Sequence, residues 1–153
     1  MNRNRDIVEQ MVERSCTIKR GIIEIDEKDI GIRRILNFGH TIGHALEAES
    51  NYTIAHGDAV SAGIIAAVRI SNKLNYLLGE DQKRIEGLIQ ELDMFNLIPE
   101  NVSTRGIMSR IRSDKKKDGD RVSFILLKKI GVPFITDSVK DALIEETIEE
   151  LKK

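Results

Sequence analysis

Apolar side chains recur every three or four positions at the start of the chain, at Ile7, Val8, Met11, Val12, Cys16, Ile18, Ile22 and Ile23. That spacing predicts an amphipathic helix over residues 5–24. The polar run Asp26 to Gly31 predicts a turn, and Leu36 to Ala48, rich in small residues, predicts a second helix. His56-Gly57-Asp58 then opens a long apolar, alanine-rich stretch from Ala59 to Leu78, which reads as a buried helix that Gly79 ends. A further helix fits Asp81 to Phe95, with Pro99 as its breaker, and Ser103 is placed to cap a short helix running through Ile111. Val122, Phe124 and Ile125 within Arg121 to Lys128, followed after Gly131 by Val132 to Ile135, predict a small hairpin. Lys140 to Leu151 reads as a closing amphipathic helix. The pattern is mainly α with one minor β element.

Composition narrows the class. The chain has 153 residues, of which 41% are apolar and 32% charged, as expected of one globular domain, residues 1–153, with a real core. A net charge of −1 and a pI near 6.3 give no electrostatic reason to expect nucleic acid or an acidic membrane as partner. Cys16 is the only cysteine, so no intrachain disulfide forms, which suits a reducing, cytoplasmic setting. Met1 to Arg5 lacks the apolar core of a signal peptide, and no stretch approaches a membrane span. No linker or internal repeat interrupts the pattern.

The candidate chemistry lies in the histidines. His40 and His44 are four apart and share a helix face, and His56 follows at the mouth of the next helix. Two antiparallel helices bring the three imidazoles to one end of the pair. Imidazole is the commonest metal-ligating side chain, and Glu47 and Asp58 are placed to support such ligands from behind. A lone histidine pair at this spacing is more often ordinary surface or core. The confinement of every histidine between Gly39 and Gly57 is what raises metal binding as the sharper reading. The pair lacks a glutamate directly after the first histidine, so it is not the metalloprotease motif.

The strings around the histidines are more specific than their spacing. Arg33-Arg34-Ile35-Leu36-Asn37-Phe38-Gly39-His40-Thr41-Ile42-Gly43-His44-Ala45, then His56-Gly57-Asp58-Ala59-Val60, resemble the signature motifs of the 3-dehydroquinate synthase family. Lys19 in Ser15-Cys16-Thr17-Ile18-Lys19, Asp26-Glu27, and Asp114-Lys115-Lys116 with Gly119 and Phe124-Ile125-Leu126-Leu127 match further landmarks in the same order. The resemblance implies the helical C-terminal domain of that fold, with a small β-hairpin, facing an N-terminal NAD-binding domain across a cleft. It implies the shikimate-pathway conversion of 3-deoxy-D-arabino-heptulosonate 7-phosphate to 3-dehydroquinate, with NAD and a divalent metal, zinc or cobalt. By motif, His40 and His56 are two of three metal ligands. His44 is not a ligand in the family; it contacts substrate near the phosphate, and with Lys19 it takes a catalytic position. Arg33, Asn37, Asp26 and one lysine of the Lys115-Lys116 pair, with Lys115 preferred, match substrate-binding positions. Arg33 stands seven residues before His40, two turns of a continuous helix, so Arg33, Lys19 and that lysine are expected to line one anionic pocket beside the histidines. Without the motif, the lysine run is a solvated surface and Arg33 a surface arginine. Gly39 and Gly43 read as packing glycines, and Ala59, Ala62, Gly63, Ala66 and Ala67 as core.

Two family features are missing. The third metal ligand, a glutamate in a Glu-x-x-Lys motif, is matched by none of Glu9, Glu13 or Glu24, and no glycine-rich dinucleotide loop follows a strand. The chain therefore reads as the C-terminal half of the enzyme, whether a truncated piece, half of a split enzyme or a relic. It is expected to be inactive without the N-terminal half or a partner chain and to form a homo-oligomer. The alternatives are another sugar phosphate cyclase, such as 2-deoxy-scyllo-inosose synthase, and a non-catalytic helical association domain. Arg33 and Asn37 favour the first reading, because a carboxylate-bearing substrate needs such partners.

Overall fold

A computed structural model describes residues 5–94, 97–115 and 122–152, with the side chains of Asp114 and Lys115 excepted. The elements in order are α1 (Arg5–Ile25), a 3-10 helix (Ile32–Asn37), α2 (His40–Glu49), α3 (His56–Lys73), α4 (Gly79–Glu91), α5 (Thr104–Lys115), β1 (Phe124–Lys129), β2 (Val132–Thr136) and α6 (Asp141–Glu150). They fall into two compact units, Met1–Leu36 and Asn37–Lys153. Among the described residues no helix is long and apolar enough to cross a membrane.

The first unit is α1, a turn and most of the 3-10 helix. The amphipathic helix forms as its periodicity predicts, but no residue of it is buried. Ile7, Met11, Val12 and Ile18 are 46–61% exposed.

In the second unit α3 is the axis, packing on α2, α4, α6 and β1. Its alanines explain this role: Ala59, Ala62, Ala66 and Ala67 are buried and small enough to admit neighbours on several sides, while Ile65 and Ile70 fill the space between them. Ile42 and Leu46 of α2, Ile107, Met108 and Ile111 of α5, Phe124 and Leu126 of β1, and Ile144 and Ile148 of α6 complete one apolar core. The strands pair antiparallel, with Leu126 opposite Phe134 and an irregularity between Leu127 and Lys129. Ser71 Oγ, buried on α3, donates to the Ala67 carbonyl and accepts the Leu127 amide, so one hydroxyl pins β1 to the central helix.

Helix limits differ from the sequence pattern at several points, most of them set by left-handed residues. The second helix begins at His40 rather than Leu36, because Gly39 sits at φ 83°, a left-handed conformation that no helix continues through. The third helix stops at Lys73 rather than near Gly79, because Asn75 at φ 59° takes the glycine role. The Tyr76 and Asn75 amides then donate to the Ser71 and Asn72 carbonyls, closing the helix end. Gly79 instead opens α4, which Asp93 at φ 55° ends in the same way, ahead of the predicted Phe95 and Pro99. Ser103 does cap α5 through the Gly106 amide, and α5 continues past Ile111 to Lys115.

Candidate metal centre

Two close-packed helices set the geometry. A Cβ on Gly43 would lie 3.0 Å from the Val60 Cα, and one on Gly39 would lie 2.7 Å from the Ile64 amide nitrogen. A Cβ on Gly63 would run into the Gly39 carbonyl oxygen. Glycine at these three places is what lets the α2 and α3 backbones touch, so Gly39 and Gly43 are the packing glycines the sequence suggests, and Gly63 joins them.

His40, His44 and Glu47 lie four and three residues apart and share one face of α2. The chain leaves α2 through Asn51 and Tyr52, both left-handed at φ 51° and 59°. The Asn51 and Tyr52 amides close the helix on the Ala48 and Glu47 carbonyls. Ile54, half-buried against the core, brings the chain back so that His56, the first residue of α3, meets that face. The ring centroids stand 5.0 Å apart for His40 and His44, 5.5 Å for His40 and His56, and 5.7 Å for His44 and His56. One nitrogen from each ring lies within 4.8 Å of the others.

The outer nitrogens are spoken for. His56 Nδ1 is 2.9 Å from Glu47 Oε2, and His40 Nδ1 is 3.3 Å from the Phe38 carbonyl. A carboxylate oxygen and a carbonyl oxygen accept, so the tautomer with the proton on Nδ1 makes both hydrogen bonds and leaves the Nε2 lone pair to face a cation. This pattern, in which an acceptor orients a ligating imidazole and raises its basicity, is the usual outer support of a metal site. The donor set therefore fits a divalent, imidazole-binding metal. Glu47 was legible in the sequence. The Phe38 carbonyl was not, because residue type says nothing about a backbone acceptor. Asp58 stands in the first turn of α3, half-buried; the carboxylate on a histidine ring is Glu47's.

The other expected site residues are placed as follows. Lys19 is exposed on α1. Asp26 folds its own turn: its Oδ2 accepts the Gly31 amide at 2.8 Å and the Arg33 amide at 3.0 Å, and its Oδ1 accepts the Ile30 amide at 3.2 Å. Arg33, half-buried, donates from Nη1 to the Glu27 carbonyl at 2.9 Å. Asn37 is exposed at the end of the 3-10 helix. Lys115 ends α5 and its side chain lies outside the described residues, as does all of Lys116. The helical argument that put Arg33 two turns before His40 does not hold, since the 3-10 helix ends at Asn37 and Gly39 breaks the path between them.

Asp26 yields a pH test. The Arg33 amide lowers its carboxyl pKa; partial desolvation opposes this, and the Gly31 and Ile30 amides and the Arg33 charge add to the lowering. A depressed carboxyl contributes order that is complete above its unfolded value and is lost as pH falls through the lower folded one. Amide resonances of Gly31 and Arg33 are therefore expected to hold steady down to about pH 4 and to shift together below it. In Asp26→Ala that shared acid step should be missing; its persistence would assign the step to another group.

Comparison with known proteins follows the same lines. A family model described as 3-dehydroquinate synthase C-terminal matches residues 1–117. The chain is 39% identical over 151 residues to 3-dehydroquinate synthase of Dehalococcoides mccartyi, covering 99% of this chain and 42% of that protein. The chain thus spans about two fifths of the length of the curated relatives it matches. A crystal structure of 2-deoxy-scyllo-inosose synthase with carbaglucose-6-phosphate, NAD+ and Co2+ superposes with a TM-score of 0.81 at 27% identity, over 95% of this chain and 41% of that one. The 2-epi-5-epi-valiolone synthase of Streptomyces hygroscopicus, with NAD+ and Zn2+ bound, shares the fold at a TM-score of 0.81 and 16% identity, over 93% of this chain and 39% of that one.

Proposed function

The chain belongs to the family of 3-dehydroquinate synthase C-terminal domains, and from that premise we propose that residues 1–153 form the metal- and substrate-binding part of an enzyme that makes 3-dehydroquinate. The observation that carries this reading is the imidazole cluster, with Glu47 and the Phe38 carbonyl behind it, inside a segment that matches the family. His40 and His56 hold a divalent metal, zinc or cobalt. When bound, that ion supplies Lewis-acid polarisation of a substrate oxygen.

The chain's own residues do the rest. Lys19 and Arg33 bind the carboxylate and phosphate of the sugar-acid substrate by charge-assisted hydrogen bonds, and Lys115 adds a third cation. Asn37 offers an amide, and His44 and Lys19 take the catalytic positions. Asp26 serves by fixing the turn that carries Arg33. Hydride chemistry requires NAD, and its site belongs in this reading to a portion corresponding to the three fifths of the relatives' length that this chain does not span. The exposed apolar face of α1 suits a contact with that portion or with a second chain. Cys16, exposed and the single cysteine, suits the cytoplasm.

Complementation tests the proposal. Purified 1–153 is mixed with the preceding segment of the Dehalococcoides mccartyi relative, NAD, zinc and 3-deoxy-D-arabino-heptulosonate 7-phosphate, and phosphate release is followed. Release is expected only when both pieces are present. Release by 1–153 alone would overturn the two-part reading. Release from glucose 6-phosphate but not from the sugar-acid phosphate would favour the sister cyclase seen among the solved structures.

A further inference from the structure

We infer that Thr41 is a positioning residue for the metal centre: its hydroxyl, bonded to the Ser123 carbonyl, holds the first turn of α2 against the start of β1 and so fixes the direction of the His40 ring. The inference rests on the reading above that His40 and His56 hold a metal.

The two rings are steadied by different means. A side chain orients His56, with Glu47 Oε2 at 2.9 Å from its Nδ1. The backbone of its own turn orients His40, whose Nδ1 meets the Phe38 carbonyl at 3.3 Å, two residues earlier. A bond of that length is weak, and it holds the ring only as firmly as the turn itself is held. That turn lacks the usual fastening. Gly39 stands at the N-cap in a left-handed conformation, and no side chain caps α2. The first amides of a helix have no partner within the helix, so an uncapped end is the less firmly held.

Contacts with the rest of the fold take over. On one side Gly39 packs on the α3 backbone at Gly63 and Ile64. This packing stops the turn from moving inward but sets no direction for it. The Thr41 hydroxyl supplies a directional contact. Half-buried, it donates to the Ser123 carbonyl at 3.2 Å, across 82 positions of sequence. Ser123 leads directly into β1, which the buried Ser71 hydroxyl pins to α3 through the Leu127 amide. The first residue of α3 is His56. A closed path of backbone and hydrogen bonds therefore runs from His40 through Thr41, β1 and α3 to His56.

The experiment uses 1–153 and reads zinc affinity beside stability. Thr41→Val removes the hydroxyl at nearly the same volume, and Thr41→Ser keeps the hydroxyl. Ser71→Ala is the control. It removes the other hydroxyl bound to β1, about four helical turns from His56, and leaves the buried Leu127 amide without that partner. Thr41→Val should weaken zinc about three- to tenfold, below the range for a group that touches the ligand directly. Thr41→Ser should bind zinc as the parent does. Ser71→Ala should lose at least as much stability as Thr41→Val and keep its zinc affinity within about twofold. Nitrogen-15 resonances of the rings in the metal-free protein give a second reading: in Thr41→Val those of His40 should move and those of His56 stay. Thr41→Ala, which a helix favours, carries both measurements where valine fails to fold. Parent-like zinc affinity without the hydroxyl, an equal loss in Ser71→Ala, weak binding in Thr41→Ser or unmoved His40 resonances would each overturn the inference. Zinc affinity indifferent to His40→Ala and His56→Ala would instead overturn the metal reading beneath it.

Discussion

Gly63→Ala is expected to lower the unfolding free energy by about 3 kcal/mol, the upper end of the range for overpacking. The added methyl has nowhere to go: it meets the Gly39 carbonyl oxygen and stands 2.9 Å from the Gly43 amide nitrogen. Backbone atoms cannot rotate aside as a side chain would, so the two helices must separate. Gly87→Ala, in α4, is the control, because a Cβ there meets nothing within 4 Å. The same change should stabilise that helix by about 0.5–1 kcal/mol through ordinary propensity. Urea unfolding with a shared slope reads both. A Gly63→Ala as stable as the parent would show that α2 and α3 do not depend on this contact. Since their separation also spaces the three rings, Gly63→Ala should bind zinc more weakly than the parent even while folded.

His40→Ala is expected to weaken zinc binding by about 100-fold or more, beyond the 10–100-fold typical of losing an outer partner. Glu47→Gln is the graded case. It keeps an oxygen near His56 Nδ1 but removes the charge that orients the ring. About tenfold weaker binding is expected there. In the complemented enzyme both variants should lose turnover at low zinc, with Glu47→Gln recovering as zinc is raised. Loss of turnover in Glu47→Gln at saturating zinc would give the carboxylate a role beyond holding His56. Unchanged zinc affinity in His40→Ala would remove His40 from the metal centre.

Much of this architecture follows from periodicity. Ile7, Met11 and Ile18 mark α1, and the buried alanines mark α3, because helical spacing of apolar residues leaves few alternatives. Helix ends were harder, because left-handed residues set them. Asn75 and Asp93 do here what glycine does elsewhere, and their propensity for that conformation is too weak to be seen against Gly79 and Pro99. Leu36 and Phe38 continue the apolar pattern into α2, so only the backbone angle of Gly39 reveals where that helix starts. For the site, spacing alone brought His40, His44, His56 and Glu47 together. It failed for Arg33, whose apparent two-turn offset assumed a continuous helix. It had no purchase on the Phe38 carbonyl, which any residue could have provided.

The three imidazoles come from a single stretch, His40 to His56, that turns back on itself once. Closing so short a loop costs little chain entropy, and that cost rises only with the logarithm of loop length. The contacts among these rings are local in sequence, of the kind that form early as a chain folds. Insertions or cuts in the loops between α3 and α6 leave the connectivity of these rings untouched. Seventeen consecutive residues thus carry all three rings, while the packing that spaces them reaches out to Gly39 and Gly63.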